Sequence, residues 1–226
     1  MESNKKKILS WELPEPLSET LEVLIPSKES EMGRPIEVDY RKISAGIFYI
    51  LRIGIQWQAC PREKFGPPST VYHYFRLWCK LGIFEQMWAA ALKVYDDLKG
   101  LQWQWQSVDG AMTKAPLGGE ATGDNSTYRG KEGTKGSLLT EGKGIAIAVV
   151  AHGANRHDMK LLASKLGAIV AEHANYKPRR WVVEVTHSWL NRFRKILVRF
   201  EKKVKHHLGL LQLACAYIVF KRAETF

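Results

Sequence analysis

The sequence predicts an α/β protein in which a helical module precedes a mixed domain. Three observations lead there. Apolar residues recur at helical spacing as far as Gly100, and from Gln104 they alternate as in a strand. Two apolar runs flank Gly142-Lys143-Gly144, which reads as a hairpin. From His157 onward the helical spacing returns and no further strand follows.

Residues 1–38 are polar and interrupted by prolines, with one short apolar patch at Leu21, Val23, Leu24 and Ile25, and read as a mobile arm. Asp39 is placed to cap a helix reaching about Ile53, whose apolar positions are Ile43, Ile47, Ile50 and Leu51; Gly54 ends it. After a Gly- and Pro-dense loop, Ser69 is the expected N-cap of a helix over 70–81, closed by Gly82. Val71, Tyr74, Phe75 and Trp78 form its inner stripe, which leaves His73, Arg76 and Lys80 together on the opposite face. A third helix runs over about 84–98.

A strand is expected over 104–112, ending in Asp109-Gly110 and Met112. The stretch 118–136 is glycine-rich and without period, and reads as a long loop. Strands follow over 135–141 and 145–152, then a helix over 157–170. After a short break, a long helix is expected from Arg179 to about Phe200, with the stripe Val182, Val185, Trp189, Phe193, Ile196 and Phe200, and a last one over 205–221. Three adjacent antiparallel strands and a helix are the opening of a ribonuclease-H-like domain. The two further strands of that fold, the fourth and fifth, have no counterpart, so the domain reads as incomplete.

The chain has 226 residues, 45% hydrophobic and 25% charged, which suits a globular protein and excludes wholesale disorder. Its 34 Lys and Arg against 23 Asp and Glu give a net charge of +11, pointing to a polyanionic partner, nucleic acid before membrane. The longest apolar run, 208–220, is too short to span a bilayer. The N-terminus lacks the apolar core of a secretory signal. Cys60, Cys79 and Cys215 lie too far apart for a disulfide framework or a zinc finger.

Candidate chemistry is sparse. Asp-Gly alone is a turn signal, and Asp109 becomes a metal ligand only if two more carboxylates lie near it. Glu184 falls opposite the apolar stripe of its helix, with His187, Asn191 and Lys195, where a solvated face is the ordinary reading. Lys177, Arg179, Arg180, Arg192, Arg194, Lys195, Arg199, Lys202, Lys203 and Lys205 face only Glu184 and Glu201 in sequence, a density suited to phosphate contact. No phosphate-binding G-x-x-x-x-G-K-[ST] loop, H-E-x-x-H pair or G-x-S-x-G elbow occurs.

Three long stretches carry a resemblance. VDGAMTKAPLGGEATGDNSTYRGKEGTKGSLLTEGKGIAIAVVAHGANRHDMKLL resembles the catalytic core of bacterial DDE-type transposases of the insertion-sequence-five group. RRWVVEVTHSWLNRFRKILVRFEKKVKHHLGLLQLACAYIVFKR is similar to their C-terminal part, and FYILRIGIQWQACPREKFGPPSTVYHYFRLWCKLGIFEQMW to their N-terminal helical module. The resemblance implies a ribonuclease-H-like fold, preceded by a helix-turn-helix-like module, whose three acids hold two Mg²⁺ ions for DNA cleavage and strand transfer. Asp109 matches the first acid and Glu184 the third, with Arg180 at the family's Arg position before it. The segment that carries the second Asp has no counterpart near 171–176.

The resemblance therefore implies a polar arm over 1–34, a DNA-binding helical module over 35–100 and an internally deleted transposase domain over 101–226. Expected partners are double-stranded DNA at the element's terminal inverted repeats and a further copy of the chain, in a cytoplasmic, nucleoid-associated setting. Expected DNA contacts are His73, Arg76, Lys80, Lys177, Arg179, Arg180, Arg192, Arg194 and Lys195, with Asp109 and Glu184 as catalytic and metal-binding acids. Impaired catalysis is the expected outcome, with a passive DNA-end competitor or a decayed gene product as the alternatives. The shortened sheet is expected to expose the first strand's edge and to weaken the C-terminal half.

Overall fold

The computed structural model describes residues 12–26, 38–125, 129–155 and 180–224. Helix α1 spans Glu15–Leu24, α2 Tyr40–Ile53, α3 Arg62–Phe65, α4 Pro68–Leu81 and α5 Ile83–Lys99. Strands β1 (Gln106–Lys114), β2 (Gly123–Asn125), β3 (Lys131–Glu141) and β4 (Ala146–Gly153) follow. Helix α6 (Arg180–Leu190) and helix α7 (Val204–Glu224) complete the chain, with a 3-10 turn at Arg194–Ile196 between them. The expected helix over 157–170 lies outside the described residues.

The cap signals read from the sequence operate in α2. The Asp39 carboxylate accepts the Lys42 backbone N–H at 3.0 Å, and Gly54 ends the helix in the left-handed region at φ 82°. Gly54 also answers to packing: a Cβ there would lie 2.7 Å from Cβ of Arg194. Helix α4 begins earlier than expected. Pro67 is its N-cap and Pro68 its first residue, so Ser69 lies inside the helix, and no side chain caps it because Pro67 has no acceptor to offer. Gly82 closes it as expected, and Val71, Tyr74, Phe75 and Trp78 are all buried.

Part of the expected mobile arm is helical. Leu17 and Leu21 of α1 are buried in the common core, and Arg41 of α2 pairs with Glu15 and Glu22. The glycine-rich stretch is not one loop either. It contains β2 and the first half of β3, where Gly133 leaves room for Asn125 and Ala154 to close against it.

All strand pairs are antiparallel and β3 is central. One side of it pairs along its length with β1, from Gln106↔Glu141 to Lys114↔Gly133; the other pairs first with β2 and then with β4. Asp109-Gly110 is thus mid-strand, not a turn: β1 continues because Gly110–Lys114 find partners in Gly133–Ser137. The outer edge of β1 carries a parallel bridge, Lys114↔Val198.

The glycine turn after β3 is fastened by a buried carboxylate. Glu141 Oε1 accepts the backbone N–H groups of Lys143 and Ile145 at 2.8 and 2.9 Å, and Oε2 that of Gln102 at 2.9 Å. Three main-chain donors are enough to hold a carboxylate out of water.

The expected long helix from Arg179 breaks at Leu190. Phe193 takes an extended backbone and inserts between Phe48 and Tyr217, with ring centroids 6.3 and 5.8 Å away. The buried face of α6 is therefore Val182, Val183, Thr186 and Leu190, while Phe200 is 50% exposed. In α7, Gly209–Leu211 and Leu213–Ala216 are all buried, so this helix is enclosed on every side. It packs against α5 and β4 and joins the helices and the sheet in one apolar core. No helix among the described residues is long and apolar enough to cross a membrane.

Candidate functional site

The exposed face of α4 borders a groove. His73, Arg76 and Lys80 line a cavity of about 490 Å³ whose opposite wall is Lys203, Val204, Lys205 and His206, at the start of α7. The fold thus brings together two basic segments more than a hundred residues apart in sequence. Phe75 and Trp78 hold α4 in place from behind, so the polar face is presented on a rigid element. His206 is held below the usual histidine range, first by burial and then by the cations Arg76 and Lys203 beside it. Glu120 sits in the same groove and accepts the backbone N–H of Val204 at 3.1 Å.

The rest of the C-terminal basic cluster divides by burial. Arg192 and Arg194 are exposed. Arg192 lies on a second surface with Arg52, Lys221 and Arg222, where the Arg222 guanidinium rests 3.9 Å from the Trp189 ring centre. Lys195 is internal: it is 5% exposed, ion-paired to Glu201 at 3.5 Å, and donates to the Ile55 carbonyl at 3.3 Å. Arg199 is fully buried. It donates to the carbonyls of Glu120 at 2.6 Å, Glu201 at 2.8 Å, Lys202 at 3.2 Å and Ala121 at 3.3 Å, and to the Thr134 hydroxyl. In sequence both belong to the basic cluster suited to phosphate contact, and Lys195 is one of the expected DNA contacts; in the fold both side chains are buried and their charges are taken up internally. Lys177 and Arg179 lie outside the described residues, and Arg180 opens α6.

The two expected acids come from β1 and α6, which pack on each other. Asp109 is half-buried, and its Oδ1 accepts the Gly110 backbone N–H at 2.9 Å. Glu184 is exposed. One helical turn on, His187 feels both carboxylates. Burial lowers its pKa below the usual range, while Asp109 and Glu184 each pull it back up. Its Nε2 is shielded from water and has no hydrogen-bond partner among the described residues. Sequence reasoning put His187 on the solvated face; its proximity to both acids depends on a strand more than seventy residues away. Among the described residues, no group of three or more His, Cys, Asp or Glu side chains is gathered to hold a metal ion.

Residues 13–88, from just before α1 into α5, match the family model described as "Putative transposase of IS4/5 family". The chain is also 28% identical over 142 residues to the "Putative transposase for insertion sequence element IS402" of Burkholderia cepacia, a match covering 43% of this chain and 67% of that protein. No solved structure matches the chain. Both matches are to insertion-sequence transposases, and it is to these that the chain is similar.

Proposed function

We propose that the chain is a DNA-binding member of the transposase family that grips double-stranded DNA at the terminal repeats of its element, and that its strand cleavage is impaired. One observation carries the binding reading: Arg76 and Lys80 of α4, Lys203 just before α7 and Lys205 in its first turn line a single groove. In this reading α2 to α5 are the helix-turn-helix-like module and α4 is its recognition helix. The sheet and α6 are the remnant of a ribonuclease-H-like domain, which is supported by the antiparallel order of β1, β3 and β4 and by an acid on the first strand.

Mg²⁺ would find oxygen ligands in Asp109 and Glu184, and such hard cations prefer oxygen. The third neighbour is an imidazole, His187, not a carboxylate. Two carboxylates are too few to bridge a pair of divalent cations, so the described residues do not fit a two-metal centre. An internal deletion is supported by the match to the Burkholderia cepacia relative. Its 142 aligned positions exceed 43% of a 226-residue chain, so part of the aligned length has no counterpart here.

The test is binding and nicking of a duplex carrying the element's end. Binding should weaken with salt at a log–log slope of about −3 to −4, since four groove cations displace about that many counterions. Replacing Arg76 and Lys80 by Ala should weaken binding and flatten that slope. Equal affinity in the double variant overturns the groove reading. Mg²⁺-dependent nicking that Asp109→Ala abolishes overturns the impairment. Binding without nicking favours the competitor alternative.

A further inference from the structure

A second cavity opens beside the groove, of about 490 Å³, within the range of about 300–1,000 Å³ usual for small-molecule sites. Its walls are aromatic: Trp57 and Tyr72, with ring centres 5.1 Å apart, and Phe200, which stands half out of the fold. Lys195 lies 5.8 Å from the ring centres of both Trp57 and Phe200. The rim carries Lys202 and Lys203, both exposed. Lys203 and Arg76 line the groove as well, so the two spaces adjoin.

The lining also includes a buried acceptor with a vacant site. Glu201 is 7% exposed, and its Oε1 takes Lys195 at 3.5 Å and the Trp57 indole N–H at 3.4 Å. Its Oε2 is shielded from water, and nothing among the described residues donates to it. A buried carboxylate oxygen left in this state is costly, and a small turn of the carboxylate toward the cavity would let a ligand N–H relieve it.

We propose that this cavity receives one unpaired nucleotide, with its base against Phe200 and Trp57, an N–H of the base on Glu201, and its phosphate on Lys202 and Lys203. The three features select the same chemistry. A flat π-face suits the rings, since base stacking on aromatic side chains is tolerant of sequence. The carboxylate repels an anion from the floor, so phosphate stays at the lysine rim. Thymine, whose one ring donor sits between two carbonyls, fits Glu201 less well than a base with an exocyclic amino group. The nucleotide's source is either an unpaired end of the DNA held in the groove, which rests on the binding reading above, or a free nucleotide.

The experiment compares a blunt duplex, the same duplex with a two-adenine overhang, and dAMP. Anisotropy should show the overhang binding about tenfold more tightly than the blunt end, as one or two stacked bases supply. Phe200→Ala should bring that ratio to one, and Phe200→Trp should restore it. Saturation-transfer NMR with dAMP tests the cavity without duplex: transfer to the adenine protons that Phe200→Ala removes assigns it to a free nucleotide as well. An overhang preference with no dAMP transfer assigns it to strand ends alone. A ratio of one in the native protein without dAMP transfer, or a preference that survives Phe200→Ala, overturns the proposal. Blunt-duplex affinity is read separately, so failure of the cavity and failure of the groove are distinguishable.

Discussion

The Lys195 ammonium lies 3.5 Å from the Glu201 carboxylate, and the two side chains are only 5% and 4% exposed. Removing one charge leaves the other buried without its ion partner. Lys195→Met should therefore cost about 3–5 kcal/mol, whereas Lys195→Met combined with Glu201→Leu should cost clearly less than the two single changes summed. Urea unfolding of the four proteins measures the coupling. Additive losses would show that the pair is not coupled.

Gly54 answers two demands at once, a φ of 82° and the close approach of Arg194. Gly54→Ala should destabilise by more than about 1 kcal/mol, since both the backbone conformation and the contact oppose a methyl group. Gly82 ends α4 in the same left-handed region, at φ 70°, but a Cβ there meets only the Gln86 side chain at 4.0 Å. Gly82→Ala is thus the control for backbone strain alone and should cost less. Thermal melts of both variants check the order.

Burial and the neighbouring Arg199 push the His207 imidazole down to about 3. Its folded value lies below the unfolded one of about 6.5, so the unfolded chain binds the extra proton first. The associated stability is complete above about pH 7 and declines from about pH 6.5 downward, at up to about 1.4 kcal/mol per pH unit for this group. His187 and His206 are lowered in the same direction and add to the slope. Urea midpoints at pH 7.5 and 5.5 should differ accordingly, and His207→Leu should flatten the difference. An unchanged midpoint between the two pH values would contradict a buried neutral His207.

The three thiols should be slow. Burial pushes Cys79 and Cys215 up to about 12, with Glu201 adding to the effect at Cys79, and burial also raises Cys60. At pH 8 a thiol of that kind is ionised to about one part in ten thousand, so alkylation of these two requires opening of the fold. A chromogenic disulfide reagent should find three thiols in guanidinium and almost none within minutes in buffer. Prompt modification of Cys215 in buffer would refute the packing around α7.

Local signals were legible and distant ones were not. Asp39, Gly54 and Gly82 set helix boundaries by chemistry within a few residues, and the inner stripe of α4 follows from spacing alone. Helix α1 was missed because its two buried leucines acquire meaning only against α2 and α5. The strands in the glycine-rich stretch were missed because their stability comes from cross-strand pairing, not from β-formers. Leu190 ends a helix that periodicity would extend, since Phe193 has better partners in Phe48 and Tyr217. Asp109 and Glu184 came from the family resemblance. The nearness of His187 to both, and the internal partners of Lys195 and Arg199, depend on residues far along the chain.

Arg199 has a mechanical consequence for anything held in the basic groove. One wall of that groove is α4; the other, beginning at Lys203, follows directly on a segment whose carbonyls at Glu201 and Lys202 are clasped by the same guanidinium that grips Thr134 on β3. Load placed on the wall at Lys203 therefore reaches the sheet through this guanidinium, beside the bonds that Glu120 makes to Lys202 and Val204. Under the proposed DNA-binding function, tension on the bound partner would fall on the strand that is paired, residue by residue, with the one bearing Asp109.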